Sequence, residues 1–131
     1  MIVVDASVLV GLAFSRDEYH AHALAARRRD PDWQAPMLIR SETRNVGRGY
    51  FLKGEPFATV AAAIRAASAA ITTHVVGDDE VLEVVKDGHL TAYDAEYVAL
   101  ARRLACRLVT TDTDILDHYA EDTINLRDFV R

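Results

Sequence analysis

The N-terminal stretch MIVVDASVLV constrains the fold more than any other part of the chain. Met1 to Val4 is apolar and β-branched without alternation, the pattern of a strand covered on both faces, as in a parallel sheet between helices. The run ends on a carboxylate, Asp5, and restarts as a different pattern. Ligands of open α/β sheets bind beyond the carboxyl ends of the strands, so an acid delivered there is well placed for chemistry. Ser7 follows, positioned either to cap the next helix or to steady the carboxylate. Asp5 also has a simpler role available, as the cap of that helix. This stretch alone does not separate the two.

A chain of 131 residues, 50% of them apolar, can bury a core of its own, and one globular domain over residues 1–131 is expected. The lone Cys106 has no internal disulfide partner. The opening apolar run is broken by Asp5 and has no basic segment before it, so no secretory leader is expected and the cytoplasm is the expected compartment. No apolar stretch approaches the roughly 20 residues that cross a bilayer, so no membrane association is expected. Fifteen Lys and Arg against twenty Asp and Glu give a net charge of -5. That balance argues against nonspecific coating of nucleic acid but permits a local basic surface around an acidic pocket.

Ala6 to Phe14 reads as a short apolar helix, with Ser15 or Asp17 capping a second that runs toward Arg29 and stops at Asp30-Pro31-Asp32. Arg27 to Arg29 reads as a solvated helix end suited to the negative end of the dipole. Trp33 and Pro36 are assigned to a connection, and Met37 to Ile39 lead into another helix. Gly54-Glu55-Pro56 is a break before an Ala-rich helix from Phe57 to about Ala70, suited to close packing. Ile71 to Val76 reads as a short strand, and Glu80 to Lys86 as a brief helix stopped by Gly88. Asp78, Asp79 and Glu80 at its start are read as dipole complement rather than chemistry.

Two helices carry further acids. Projecting Ser41 to Tyr50 at 3.6 residues per turn puts Glu42, Asn45, Val46 and Gly49 on one face, turned toward the protein body or a cleft. Ser41 as a cap and Glu42 as dipole complement is the simpler alternative. Arg40, Arg44 and Arg48 form a basic stripe on the other side, and Arg44 and Arg48 are candidates for contact with a phosphate backbone or an acidic partner. In HLTAYDAEYVALARRLACRLVTTDTDIL, Thr91 and Asp94 have capping-box spacing, and the helix runs from about Ala92 to Ala105. Asp94 heads an apolar stripe of Tyr97, Val98, Ala101 and Ala105 and needs a partner, since an unpaired buried charge is costly. Arg107 to Thr111 is a strand that again ends on an acid, Asp112, and the alternation of helix with strand predicts a mainly parallel sheet.

Four carboxylates thus arrive from four elements: Asp5, Glu42, Asp94 and Asp112. Clustered without a cation they repel one another and drive protonation of at least one. A hard divalent ion removes that penalty, and an oxygen-only donor set without His or Cys points to Mg²⁺ or Mn²⁺. Phosphoryl transfer is the natural reaction of such a site. The five histidines, His20, His22, His74, His89 and His118, show no ligand spacing tied to these elements.

The combination of VVDASVLV, SETRN, LTAYDAEYVALA and LVTTDTDIL resembles the PIN domain, specifically the VapC-like toxin ribonucleases of bacterial toxin–antitoxin pairs, over nearly the whole chain. The pattern Thr91, Tyr93, Asp94, Ala95, Tyr97, Ala99, Leu100 and Ala101 is its most specific part. The resemblance places Asp5, Glu42, Asp94 and Asp112 at the family's acidic metal-binding positions, Asn45 and Thr110 at polar supporting positions, and Asp114 at an accessory acid seen in some members. It implies a three-layer α/β/α sandwich, Mg²⁺- or Mn²⁺-dependent RNA cleavage, frequent homodimers, and inhibition by a cognate antitoxin that covers or enters the acidic cleft. In that scheme Asp5, Asp94 and Asp112 hold the principal metal and Glu42 binds a second ion or orients the attacking water.

Three other readings compete. A haloacid-dehalogenase-type phosphatase carries a second Asp two residues after the first, where this chain has Ser7. A Toprim-type nuclease pairs Asp112 and Asp114 with a strand glutamate, whereas Glu42 is expected on a helix. A non-catalytic module that binds RNA or a partner on the same fold is favoured by loss of an acid, and none of the four is lost.

Overall fold

The computed structural model describes residues 1–131 throughout. Its strands are β1 (Ile2–Val4), β2 (Trp33–Pro36), β3 (Thr72–His74), β4 (Leu108–Thr110) and β5 (Thr123–Asn125). They form one sheet in the order β3-β2-β1-β4-β5, with every pair parallel. The expectation of a mainly parallel sheet is therefore met in full. Between and after the strands lie α1 (Ala6–Ala13), α2 (His20–Arg29), α3 (Leu38–Leu52), α4 (Phe57–Ala69), α5 (Asp78–Val85), α6 (Ala92–Arg103), α7 (Thr113–His118) and α8 (Leu126–Phe129). From β1 the chain steps outward to β2 and β3, then returns past β1 to β4 and β5. Right-handed crossovers in opposite directions put α1 to α4 on one face and α5 to α7 on the other. Consistent with this, α1 packs on α2, α3 and α4, while α6 packs on α5 and across β1, β2 and β4. The result is the α/β/α sandwich.

The core follows from the strand composition. Val3, Val4, Leu108 and Val109 are fully buried, since both sheet faces are covered. From the helices, Leu9, Ile39, Tyr97, Leu100, Ile115 and Leu126 fill the layers above and below. Burying each large aliphatic side chain contributes about 1.5–3 kcal/mol. No helix is long and apolar enough to cross a membrane.

Several local expectations are corrected. Trp33 to Pro36 is not a connection but strand β2, paired through Ile2↔Trp33 and Val3↔Gln34 on one side and Pro36↔His74 on the other. Pro36 ends the strand, where its missing N–H costs least. Helix α2 begins at His20, and neither Ser15 nor Asp17 caps it; Asp17 instead accepts from the Tyr19 N–H at 2.9 Å in the preceding turn. Helix α3 starts at Leu38, so Ser41 lies inside its first turn and is not the cap. Its buried face is Ile39, Thr43 and Gly47, leaving Val46 37% exposed. The reason is α4, whose Val60 and Ile64 sit against Gly47, where a side chain would meet them. Arg27 is not simply solvated: it donates to the Ala70 carbonyl at 2.7 Å and lies over the Trp33 ring, while Arg29 lies over Phe129. Glu80, read as dipole complement, does more than that: it pairs with Arg103 at 2.6 Å and accepts from the Gly77 N–H, while Asp78 and Asp79 stand beside it in the first turn of α5.

Helix α6 ends earlier than expected. The Ala105 N–H donates to Arg102 O and the Cys106 N–H to Ala101 O, both at 3.1 Å, with Ala105 at φ 51°. This is a Schellman closure in which an alanine occupies the left-handed position that favours glycine.

Candidate active site

The sheet reverses its winding between β1 and β4, the place where open α/β sheets hold ligands. The register Val4↔Val109 makes Asp5 and Thr110 neighbours just beyond it, although 105 residues separate them in sequence. Thr110 Oγ1 donates to Asp5 Oδ2. Ser7 Oγ donates to Asp5 Oδ1 at 2.5 Å, and the Val8 N–H reaches the same oxygen at 3.3 Å. Asp5 therefore both caps α1 and faces the cleft, so its two sequence readings hold together. Burial pushes its carboxyl up to about 6 against the pull of these hydrogen bonds, with the charge of Asp112 adding to the rise.

Asp112 caps α7, taking the Asp114 N–H at 2.9 Å and the Ile115 N–H at 3.2 Å on Oδ1. Its own N–H donates to Thr110 Oγ1 at 2.9 Å, so one threonine links both strand-end acids. Asp94 stands in the first turn of α6, where Thr91 Oγ1 accepts its N–H at 3.1 Å. Its carboxyl is held above the usual range, first by burial and then by the charges of Asp112 and Asp114. It is half-buried at the cleft rather than enclosed. Glu42 on α3 accepts from the Tyr97 hydroxyl of α6 at 2.7 Å. Burial raises Glu42, Tyr97 pulls it down, and the charges of Asp94 and Glu96 raise it again.

The four acids line one cleft of about 250 Å³, together with Ala6, Ser7, Tyr97 and Thr111. No Lys, Arg or His lines it. Thr110 lies behind Asp5. Asn45 is not in this cleft but in an adjoining groove of about 440 Å³ that shares Glu42 and Asp94 with it. Asp114 contributes its backbone N–H and its charge but does not line the cleft. Arg44 and Arg48 are exposed on α3, outside the lining of both. His89 and His118 stack on each other at 4.1 Å, with His118 bonded to the Asp114 carbonyl, and belong to neither space. Tyr97 is the site-facing residue that sequence reasoning missed. The available signal was a tyrosine on the stripe that Asp94 heads, whose buried hydroxyl needs an acceptor.

The donor set is all oxygen and drawn from four elements, and burial, with a smaller push from neighbouring carboxylates, holds Asp5 and Asp94 above their ordinary values; a hard divalent cation suits such a donor set. As the side chains stand, no three acids or histidines converge closely enough to ligate an ion. Asp5 accepts from Ser7 and Thr110, and Glu42 from Tyr97. The residues fit such an ion in chemistry, and Asp5, Glu42, Asp94 and Asp112, which line one cleft, are those that would hold it.

A smaller cavity of about 100 Å³ between α1, α3 and α4, lined by Phe14, Tyr50, Arg16 and Glu55 among others, lies elsewhere. Arg16 and Glu55 pair there at 2.6 Å, and no acid cluster faces it.

Comparison with known proteins is consistent with this architecture. The chain is similar in structure to PAE2754 from Pyrobaculum aerophilum, with a TM-score of 0.78 at 24% identity, covering 98% of this chain and 92% of the other. It is also similar to Mycobacterium tuberculosis VapC20, described as a sarcin–ricin-loop-cleaving toxin, with a TM-score of 0.64 at 16% identity over 88% of this chain and 91% of the other. A sequence search of curated proteins finds no match. The family profile described as PIN domain matches residues 2–122. The chain therefore belongs to the PIN domain family.

Proposed function

We propose that the chain is a divalent-metal-dependent endoribonuclease of the VapC-like toxin type, neutralised in its host by a cognate antitoxin. One observation carries the reading: four carboxylates from β1, α3, α6 and β4 line one cleft that no basic side chain enters. PIN domain membership supports it, as does likeness in fold to a toxin described as cleaving the sarcin–ricin loop. RNA as substrate, the antitoxin, a homodimer and a cytoplasmic setting belong to the proposal.

In this reading Asp5, Asp94 and Asp112 hold the principal Mg²⁺ or Mn²⁺, and Glu42 binds a second ion or orients the attacking water. When bound by these residues, such an ion would supply Lewis acidity, toward an attacking water and toward charge on the departing oxygen. Ser7 and Thr110 orient Asp5, and Asp112 is fixed through its own cap. Glu42, raised from its ordinary value by burial and partly solvated, faces the cleft as a carboxylate that could take a proton from water. Asn45 and Asp114 act as supporting residues, and Arg44 and Arg48 as contacts for RNA or antitoxin.

The reading is tested by incubating total RNA with purified protein and Mg²⁺ or Mn²⁺, with and without chelator. The alternative is a PIN fold that binds RNA or a partner without cutting. Titration with Mn²⁺ separates the two: saturable binding lost in Asp94→Asn supports the nuclease, and no binding supports the module.

A further inference from the structure

We propose that the groove beside the acid cleft holds one unpaired nucleobase of the RNA, stacked on Tyr93 and read at its edge by Asn45. The inference rests on the ribonuclease reading and assigns it a substrate-selecting subsite.

The groove is continuous with the cleft through Glu42 and Asp94, and Leu38, Ser41, Asn45, Thr91 and Tyr93 complete its lining. A chain whose scissile phosphate sits at the acids therefore passes a neighbouring nucleotide into it. Its lining has no cation, and its only charges are the two shared carboxylates. A phosphate is repelled there, whereas a neutral base is not. Tyr93 is 69% exposed on the first turn of α6, and no aromatic ring of the protein pairs with it. An open aromatic face beside a phosphodiester site is the platform on which single-stranded bases stack. Asn45 brings a donor and an acceptor in one amide, the pattern that reads a base edge once it is splayed from its neighbours.

The surrounding charge agrees. Arg44 and Arg48 lie three residues beyond Ser41 and Asn45 respectively on α3, which puts them along the outer rim of the groove. Neither takes part in an ion pair. Backbone phosphates following that rim leave the base to turn inward. A duplex keeps its bases stacked and cannot offer one, so the substrate is a single strand, loop or bulge.

The test uses fluorescence anisotropy of a short labelled single-stranded RNA, and of the same RNA as a duplex, with chelator present so that nothing is cut. Cleavage kinetics in Mn²⁺ follow on the preferred RNA. Tyr93→Ala is expected to weaken single-strand binding roughly 5- to 150-fold and raise KM alike, while Tyr93→Phe stays within about twofold. Asn45→Ala is expected to alter which base is preferred beside the cut. The exposed position of Tyr93 predicts unchanged thermal unfolding in both tyrosine variants, which controls for folding. If wild type cuts RNA and Tyr93→Ala cuts it at the same positions with the same KM, the subsite is wrong and the nuclease stands. A shift in oligomeric state without an RNA effect makes the groove a protein contact and also overturns the subsite. A wild type that neither binds nor cuts RNA overturns both.

Discussion

The buried hydroxyl of Tyr97 donates to Glu42 Oε1 at 2.7 Å, tying α6 to α3 across the mouth of the cleft. Tyr97 is 1% exposed, so no water replaces it as a donor from behind. The bond pulls the Glu42 carboxyl down against burial. Tyr97→Phe therefore raises Glu42 further, and the acid limb of the cleavage profile moves to higher pH. The lost hydrogen bond to a charged group is expected to cost about 1.5 kcal/mol, the lower end for such bonds because Glu42 is half-solvated. Urea denaturation and a pH–rate profile read the two effects separately.

Asp5 makes the metal-free protein sensitive to pH. Its folded carboxyl lies at about 6 against an ordinary 3.8, so the folded state holds a proton that the unfolded chain has lost. The stability it contributes is complete below about pH 4 and disappears as pH rises through 6. The full effect is on the order of 3 kcal/mol. In the presence of chelator, Asp5→Asn should flatten the fall in stability between pH 4 and pH 7, followed by thermal unfolding across that range. An unchanged slope in the variant would assign the effect to another group.

Thr110 joins the two strand-end acids, donating to Asp5 and accepting from the Asp112 N–H. Thr110→Val keeps the shape and removes both bonds in a buried setting, at an expected cost of about 1–3 kcal/mol. It should also weaken Mn²⁺ binding about 10- to 100-fold, the usual penalty for losing a residue that orients a ligand. Thr110→Ser should restore most of the affinity. Calorimetric titration with Mn²⁺ checks both variants.

Ala105 pays for a left-handed backbone at the end of α6. Ala105→Gly relieves that strain, offset in part by the greater freedom of glycine in the unfolded chain, and should raise stability by about 1 kcal/mol. Ala105 is exposed and outside the cleft, so cleavage should be unaffected. Denaturant midpoints of the two proteins decide it.

What could be read from the sequence followed the strength of local signals. Strand β1 announces itself as an unbroken apolar run and β4 as a short β-branched one, each followed by an acid, and their adjacency brings Asp5 and Asp112 to one cleft. The Thr91 cap and the stripe behind Asp94 fix α6 just as directly. Strand β2 was hidden because Gln34 and Pro36 do not look like a buried strand; its conformation is set by β1 and β3 on either side. Strand β5, only Thr123–Asn125, is too short to show a period. The role of Tyr97 was hidden for another reason: its partner is 55 residues away, and within its own helix it reads as core. Arg27 looked solvated because its acceptor, the Ala70 carbonyl, is supplied by a distant helix end.

Acids from four separate elements line the one cleft proposed to cleave RNA with a metal ion. Cleavage of a total RNA pool by the purified protein in Mn²⁺, with and without chelator, alongside Asp94→Asn prepared identically, tests that site most directly. Discrete products that vanish on chelation and in the variant, with thermal unfolding intact, are the predicted result. An Asp94→Asn protein that cuts as wild type does, or products indifferent to chelator, would contradict it.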